Sequence, residues 1–295
     1  MDRRAFLFLL AGTRNLKADC VDLLQGFDKD PETFTAAGYT KPVYKIIHPN
    51  GPPVLFLHEL PGLVPQAFDF ARRLHSAGFS VYLPLFFGRA GDNSALRTLL
   101  STPCWGPAFD CRSRHSLGAI SNWIIEYNVA LQERHGRVAV IGNCLTGAMP
   151  LVLMADARAR RNLKAIVLSQ PAVPVGPFGM PRSLDVRQSL GLTDPQLERA
   201  VRSGVPVLAL QFDDDPFVPR ERLEALQAAF KGRPFEYRSV PADQHCTRLM
   251  KGCKPPQHHH AVLTLGYCDD PDSNAFQAYK RVEQFLTQHL IGAAV

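Results

Sequence analysis

The residues most suited to chemistry lie at 142–147, Gly-Asn-Cys-Leu-Thr-Gly, directly after a run of β-branched and small apolar residues. Such a run, bounded by glycine, is typical of a buried parallel strand, and the apolar residues 147–154 favour a helix packed on the sheet. Cys144 would then lie at the apex of a sharp strand–turn–helix connection, an elbow. Glycines flank such turns because the backbone there is strained and crowded. The pattern predicts a thiol nucleophile at Cys144.

A thiol nucleophile needs a base, and the chain supplies acids and histidines downstream of Cys144. A thiol near its ordinary pKa is mostly protonated at neutral pH, so an imidazole must take its proton and a carboxylate must orient that imidazole. Among the acids at 213–215, Asp215 is followed by Pro-Phe-Val-Pro and a predicted helix, and we expect it to be the orienting acid. The order nucleophile, acid, histidine is the one that α/β-hydrolases use.

Two histidines compete for the role of the base. His245 lies five residues after the last predicted strand, and His260 lies 13 residues before Ser273, where the last predicted helix begins. We favour His260, because a short path into that helix gives its loop ordered structure on both sides. His245 stays open as the alternative.

Other interpretations of the same residues also stay open. Cysteine is among the most buried residue types, so Cys144 taken alone is more typical of a structural thiol. An aspartate commonly precedes a helix without any catalytic role. Cys246, Cys253 and the histidines at 258–260 could bind zinc, although their spacing matches no standard zinc site.

The elements that must position these residues alternate between strands and helices. Strands are predicted at 41–47, 54–57, 79–85, 138–141, 164–169, 206–212 and 235–240, and helices at 65–77, 117–133, 147–154, 193–202, 220–230 and 273–290. This alternation predicts an α/β fold with a mostly parallel, doubly wound sheet flanked by helices. Ligands of such sheets bind at the carboxyl ends of the strands, where Cys144 and Asp215 are expected.

Composition favours one globular domain. The 295 residues are 46% hydrophobic and 20% charged, which suffices for one large core. We expect an N-terminal extension at 1–35 and a single domain at 36–295. The net charge of +6 is scattered along the chain and not massed on one face, which does not favour a nucleic-acid partner.

The N-terminus and the cysteines bear on location. Residues 5–12 superficially resemble a signal peptide, but they fall far short of the roughly 20 residues of a membrane span. Seven cysteines, an odd number, favour free thiols in a reducing compartment, although Cys104 with Cys111 and Cys246 with Cys253 are spaced to close small loops. We expect a cytoplasmic protein without membrane contact, a monomer or small homo-oligomer, with no cofactor or metal.

Four stretches of the chain carry a family resemblance. They are Val-Leu-Phe-Leu-His-Glu-Leu-Pro-Gly at 54–62, Leu-Pro-Leu-Phe-Phe-Gly-Arg at 83–89, the elbow at 142–147 and Asp-Pro-Phe-Val-Pro at 215–219. Together, in this order and over about residues 40 to 290, they resemble the dienelactone hydrolase family, which has the α/β-hydrolase fold. The cysteine in the elbow is the specific part, since most α/β-hydrolases carry serine there, and the glutamate after the first core strand is the second.

The resemblance implies a cysteine hydrolase that opens lactones or cleaves small carboxylic esters through an acyl-enzyme, with no cofactor. Cys144 would be the nucleophile, with Asp215 and a histidine completing the triad. Glu59 matches the family glutamate that interacts with the thiol and helps to activate it. The backbone N–H groups of Leu60 and Leu145 would form the oxyanion hole, where each donor is typically worth about 3 kcal/mol.

The resemblance also implies a substrate contact, and it has limits. Arg89 matches the family arginine that holds the substrate carboxylate, for which a guanidinium is well suited; a solvated loop arginine is the alternative. The chain departs from the family at Thr146, where the elbow usually has glycine. The family's further arginine shortly after the histidine has no clean counterpart: Arg248 lies near His245 but off by one residue, and nothing similar follows His260. A non-catalytic protein of the same fold that binds or senses a small molecule is the alternative function.

Overall fold

Eight strands form one sheet within residues 23–94, 106–175, 183–242 and 259–292, the parts of the chain that the computed structural model describes. The strands are β1 Glu32–Ala36, β2 Tyr39–Ile46, β3 Pro53–Leu57, β4 Ser80–Pro84, β5 Val138–Asn143, β6 Leu163–Ser169, β7 Val207–Phe212 and β8 Phe235–Val240.

The strand order is β1-β2-β4-β3-β5-β6-β7-β8. Only the pairs β1–β2 and β2–β4 are antiparallel among these strands; the other neighbours run parallel. Strands β3, β4, β5 and β7 are buried along their whole length, as expected for parallel strands covered on both faces. The predicted mostly parallel, doubly wound sheet is confirmed.

The order of the strands reverses between β3 and β5. From β3 the chain moves outward to β4, and it then returns across β3 to form β5 on the other side. Connections that diverge in this way leave a crevice outside the carboxyl ends of the two strands. Glu59 follows β3 and Cys144 follows β5, so both predicted site residues lie beside this crevice.

Helices cover both faces of the sheet. They are α1 Pro65–Ser76, α2 Ile120–His135, α3 Pro150–Ala155, α4 Leu184–Gln188, α5 Asp194–Arg202, α6 Arg220–Ala229 and α7 Asn274–Leu286, which continues as a π-helical turn Thr287–Ile291. Thr193 caps α5, where its side chain accepts a hydrogen bond from the Gln196 N–H. The helix predicted at 147–154 begins only at Pro150.

Two apolar clusters pack on the two faces of the sheet. Alternate side chains of β3 point to opposite faces, so Leu55 and Leu57 join one cluster with α2 and α3, whereas Val54 and Phe56 join the other with α1 and α7. The carboxyl ends of β3 and β5 therefore lie between two buried apolar layers.

No helix in the described ranges combines the length and the apolar character that a bilayer crossing requires.

The structure adds two features that the sequence did not predict. The sheet begins at Glu32, inside the stretch assigned to an N-terminal extension, because β1 forms an antiparallel hairpin with β2.

Cys268 is disulfide-bonded, so the expectation of free thiols is wrong for this cysteine. Cys111 and Cys144 are free, which leaves the suggested loop between Cys104 and Cys111 unclosed. The division of the chain at residue 36 stays a prediction.

Candidate active site

Cys144 lies on the sharp turn that follows β5. Its φ is +53°, a backbone conformation that residues other than glycine rarely adopt. Cys144 is the first residue of a one-turn 3₁₀ helix, Cys144–Thr146. A Cβ on Gly142 would lie 2.3 Å from the Thr146 carbonyl oxygen, and one on Gly147 would lie 2.6 Å from Cα of Pro171. Both flanking glycines are therefore required by close approach of the backbone.

Thr146 ties the elbow to the end of β3. Its hydroxyl lies 2.8 Å from the Leu57 carbonyl oxygen, to which it donates, and it accepts a 3.1 Å hydrogen bond from the Asn143 N–H. The same hydroxyl lies 3.2 Å from the carbonyl oxygen of His58, the residue that follows β3. The β-branched residue that departs from the family elbow is thus accommodated, because its hydroxyl joins the Cys144 turn to the Glu59 turn.

Asp215 lies in the turn after β7, and its side chain is fully buried. Its Oδ1 accepts hydrogen bonds from the backbone N–H groups of Phe217 at 2.9 Å and Val218 at 3.2 Å. Its Oδ2 accepts one from Nδ1 of His260 at 2.8 Å. The turn therefore fixes the carboxylate so that one oxygen is left for the imidazole.

His260 enters the site from a compact turn that precedes α7. Ala261 has a φ of +62°, and its carbonyl oxygen accepts hydrogen bonds from the N–H groups of Thr264 and Gly266. The guanidinium of Arg73 on α1 donates to the Leu263 carbonyl oxygen at 2.9 Å. These contacts hold the turn against the helix layer, so the segment that carries His260 is anchored on its carboxyl-terminal side.

The imidazole of His260 interacts with both Asp215 and Cys144. Burial alone would lower the pKa of His260, but the charges of Asp215 and Cys144 and the ring's interactions with both side chains raise it well above the ordinary value. Since Nδ1 is bonded to Asp215, Nε2 is the nitrogen left for the thiol. The raised pKa favours the protonated, imidazolium form of His260 beside the Cys144 side chain.

Glu59 is buried at the end of β3. Burial raises the pKa of Glu59 to about 7, against the opposing effects of hydrogen bonds from Thr264 and Asn143 and of the charge of His260. Its Oε1 accepts the hydrogen bond from the Thr264 hydroxyl, and its Oε2 is buried without a partner in the described residues. The carboxyl therefore titrates close to neutral pH.

The neighbouring His58 is a structural residue. Its ring is fully buried; Nδ1 donates to the Glu59 carbonyl oxygen at 2.8 Å, and Nε2 accepts from the Phe86 N–H at 3.0 Å. Burial lowers the pKa of His58 to about 4, so the ring is neutral. Both nitrogens are occupied, and His58 joins the ends of β3 and β4.

The predicted oxyanion-hole residues lie in the turns that follow β3 and β5. Leu145 is the second residue of the 3₁₀ turn, where N–H groups have no acceptor within the helix, and Leu60 follows Glu59. Beside Leu145 is a narrow, mostly apolar crevice. It is lined by Phe109, Asp110, Cys111, Leu117, Leu145, Met149 and Val173.

The remaining predicted residues are Arg89, His245 and the ligands of the zinc interpretation. Arg89 is exposed on the loop after β4, and its role stays a prediction. His245, Cys246 and Cys253 lie outside the described residues. In the zinc interpretation, His259 would be a ligand; here its Nδ1 lies 2.8 Å from Oδ2 of Asp214 instead.

Four residues of the site were not predicted from the sequence: His58, Asn143, Thr146 and Thr264 as hydrogen-bonding groups. Asn143 and Thr146 are part of the elbow stretch and Thr264 follows His260 by four residues, so their proximity in sequence was the only available signal. Their partners lie on other strand ends, at separations of up to 205 residues. Such pairings depend on the tertiary structure.

Comparison with known proteins now adds to this geometry. The sequence profile described as "Dienelactone hydrolase family" matches residues 42–245, about two thirds of the chain. That range includes Glu59, Cys144, Asp215 and His245 but ends before His260. No curated protein sequence matches the chain.

Solved structures share the fold at low sequence identity. Dienelactone hydrolase from Anabaena variabilis is 14% identical with a TM-score of 0.56, over 90% of this chain and 99% of that one. A highly thermostable carboxyl esterase from Bacillus coagulans is 12% identical with a TM-score of 0.57, again over 90% and 99%. A dienelactone hydrolase-like promiscuous phosphotriesterase, P91, from metagenomic libraries is 17% identical with a TM-score of 0.55, also over 90% and 99%. The fold is that of the α/β-hydrolases, and the chain belongs to the dienelactone hydrolase family.

Proposed function

We propose that this protein hydrolyses a small carboxylic ester or lactone through a covalent thioester on Cys144. His260 is the general base, and Asp215 orients it. The observation that carries the proposal is the interaction of one partly buried imidazole with both the Asp215 carboxylate and the Cys144 thiol. A structural cysteine after a strand needs neither partner, whereas a nucleophile needs both.

The first half of the reaction forms the thioester. The Cys144 thiolate, whose proton resides on His260, attacks the acyl carbon, and a C–S bond forms as the carbonyl becomes a tetrahedral oxyanion. The N–H groups of Leu60 and Leu145 stabilise that oxyanion. The carbonyl then re-forms, the bond to the alcohol oxygen breaks, and His260 gives its proton to the departing alkoxide.

The second half of the reaction regenerates the thiol. His260, now neutral at Nε2, takes a proton from water, and the resulting hydroxide equivalent attacks the thioester carbon. Collapse of the second tetrahedral species breaks the C–S bond and releases the carboxylic acid. Asp215 keeps Nδ1 protonated throughout, because that hydrogen bond fixes the tautomer of the ring.

The crevice beside Leu145 has a mostly apolar lining, which suits an apolar acyl group. Arg89 is proposed to bind a carboxylate on the substrate, as the family resemblance implies. Its place on the loop after β4 puts it at the same carboxyl-terminal edge of the sheet as Cys144.

The test is hydrolysis of p-nitrophenyl acetate by the wild type and by Cys144→Ala. We expect the substitution to lower kcat/KM by about 10³-fold or more, as for loss of other catalytic nucleophiles. Cys111→Ser is the matched control, because Cys111 is also a free thiol but is no member of the proposed triad. It should change the rate only by a small factor.

Two results would contradict the proposal. Full activity of Cys144→Ala would assign the chemistry to another group. Absence of hydrolysis by the wild type for a series of small esters and lactones, together with no alkylation of Cys144 by iodoacetamide near neutral pH, would favour the non-catalytic binding or sensing protein instead.

A further inference from the structure

We propose that Thr264 is a positioning residue, which holds the Glu59 carboxyl in place and stabilises its ionised form through its hydroxyl. This inference rests on the proposed function, because the consequence for activity passes through Glu59 to His260 and Cys144. It goes beyond the family resemblance, which assigns no role to a threonine at this place.

The geometry is a chain of three side chains behind the triad. The amide nitrogen of Asn143 lies 3.3 Å from Oγ1 of Thr264, and that hydroxyl donates to Oε1 of Glu59. All three side chains belong to buried residues. The chain therefore links the residue before the nucleophile, the turn after the base and the end of β3.

The direction of the hydrogen bonds follows from the number of protons. An amide nitrogen can only donate, so Asn143 gives a proton to the Thr264 oxygen. A threonine hydroxyl has a single proton of its own, which leaves it to be donated to Glu59. Asn143 thus fixes the rotation of the hydroxyl, and Thr264 acts on the carboxyl as a donor of fixed orientation.

Few other groups can stabilise an ionised Glu59. On the β3 side, the buried His58 ring is neutral and faces backbone groups. The elbow contributes Cys144 and Asn143, whose side-chain amide also lowers the pKa of Glu59, and the turn before α7 contributes His260 and Thr264. Within the described residues, His260 is the single charged group that lowers the pKa of Glu59.

The consequence for the triad is electrostatic. An ionised Glu59 attracts the His260 imidazolium, and the same attraction favours the imidazolium–thiolate pair over the neutral pair. Loss of the Thr264 donor raises the pKa of Glu59, so the carboxyl stays protonated to a higher pH. The reactive form of Cys144 then accumulates only at higher pH.

The experiment compares Thr264→Val, which keeps the shape but lacks the hydroxyl, with Thr264→Ser, which keeps the hydroxyl. Two pH profiles are recorded for each variant and the wild type: kcat/KM for p-nitrophenyl acetate, and the rate of Cys144 alkylation by iodoacetamide. In Thr264→Val we expect the acid limb of both profiles to move up by about one pH unit, the effect of losing one hydrogen bond to a charged group. Thr264→Ser should restore the wild-type limb.

Thr264→Val combined with Glu59→Gln shows whether the shift of the acid limb depends on the Glu59 carboxyl. In the Glu59→Gln protein, Thr264→Val should leave the acid limb where it is, because the titrating carboxyl is absent. Unshifted profiles in Thr264→Val, or an equal shift in the presence and absence of Glu59, would overturn the inference. A wild type without esterase activity would overturn the proposed function alone, since the alkylation profiles still test Thr264.

Discussion

Nδ1 of His260 lies 2.8 Å from Oδ2 of Asp215, and the side chain of this aspartate is completely buried. The preceding residues repeat the arrangement, since Nδ1 of His259 lies 2.8 Å from Oδ2 of Asp214. The two pairs differ in their surroundings: the Asp214 side chain is 55% exposed, and only the His260 ring interacts with the Cys144 thiol. Two chemically identical pairs therefore have different expected roles.

This duplication provides an internal control for the role of Asp215. Asp215→Asn removes the acceptor that fixes the His260 tautomer, and we expect kcat/KM to fall by about 10³-fold or more. Asp214→Asn changes the exposed pair in the same way and should retain close to wild-type activity. The measurement is steady-state hydrolysis of p-nitrophenyl acetate. Equal losses in the two variants would show that the buried pair has no special role.

Glu59 should make stability depend on pH. Its pKa is raised from 4.5 to about 7 in the folded protein, so the folded state binds more protons than the unfolded state between these values. Stability is therefore lost as the pH rises through this window and levels off above it. Glu59→Gln removes the loss and should raise the free energy of unfolding by about 3 kcal/mol at about pH 8, with little change at about pH 5.

Urea denaturation of the two proteins at both pH values measures this difference. If Glu59→Gln raises the free energy of unfolding equally at both pH values, the gain does not come from ionisation of the carboxyl. The same variant is expected to lose activity, because an amide cannot carry the charge that attracts the His260 imidazolium. Opposite effects on stability and activity are common where a group that destabilises the folded state is needed for activity.

Thr146 is expected to contribute to stability through its hydroxyl. Thr146→Val leaves the buried N–H of Asn143 and the carbonyl oxygen of Leu57 without this partner, at a cost of about 2 kcal/mol. Thr146→Ser keeps the hydroxyl and should recover most of that loss. The free energies come from urea denaturation at unchanged m-value. A valine variant as stable as the wild type would remove the assigned link between elbow and β3.

Arg89 should determine the preference for a carboxylate on the substrate. Arg89→Ala is expected to raise KM by about tenfold for an ester that carries a carboxylate and to leave kcat nearly unchanged. This is the pattern for loss of an interaction that is equally strong in the bound substrate and in the transition state. Neutral p-nitrophenyl acetate is the reference substrate, for which the variant should match the wild type. If KM rises equally for both substrates, Arg89 affects the loop and does not recognise the carboxylate.

Much of the fold was predictable because it follows from local patterns. Continuous apolar runs between glycines and prolines marked β3, β5 and β7, and the glycines at 142 and 147 marked the elbow. The sequence also indicated Asp215, because the strand end and the Pro-Phe-Val-Pro that follows are contiguous with it. Each of these signals is contained within about ten residues.

The features that were not predicted depend on residues far apart in the sequence. Strand β1 has no buried residue and alternates only between exposed and half-buried positions, so its apolar signal is weak. The bond from Thr264 to Glu59 joins residues 205 apart, and nothing in either stretch encodes the pairing. The choice of His260 over His245 rested on loop length, and what supports it now is the contact with Asp215.

The most direct test of the account is to identify the residue that carries the acyl group. The wild type is mixed with p-nitrophenyl acetate, quenched in acid during the first turnover and digested, and the peptides are examined by mass spectrometry. We predict an acetyl group on the peptide that contains Cys144, and its absence from that peptide in Cys144→Ala. An acetyl group on another residue, or hydrolysis at the full rate with no acylated peptide, would contradict the account.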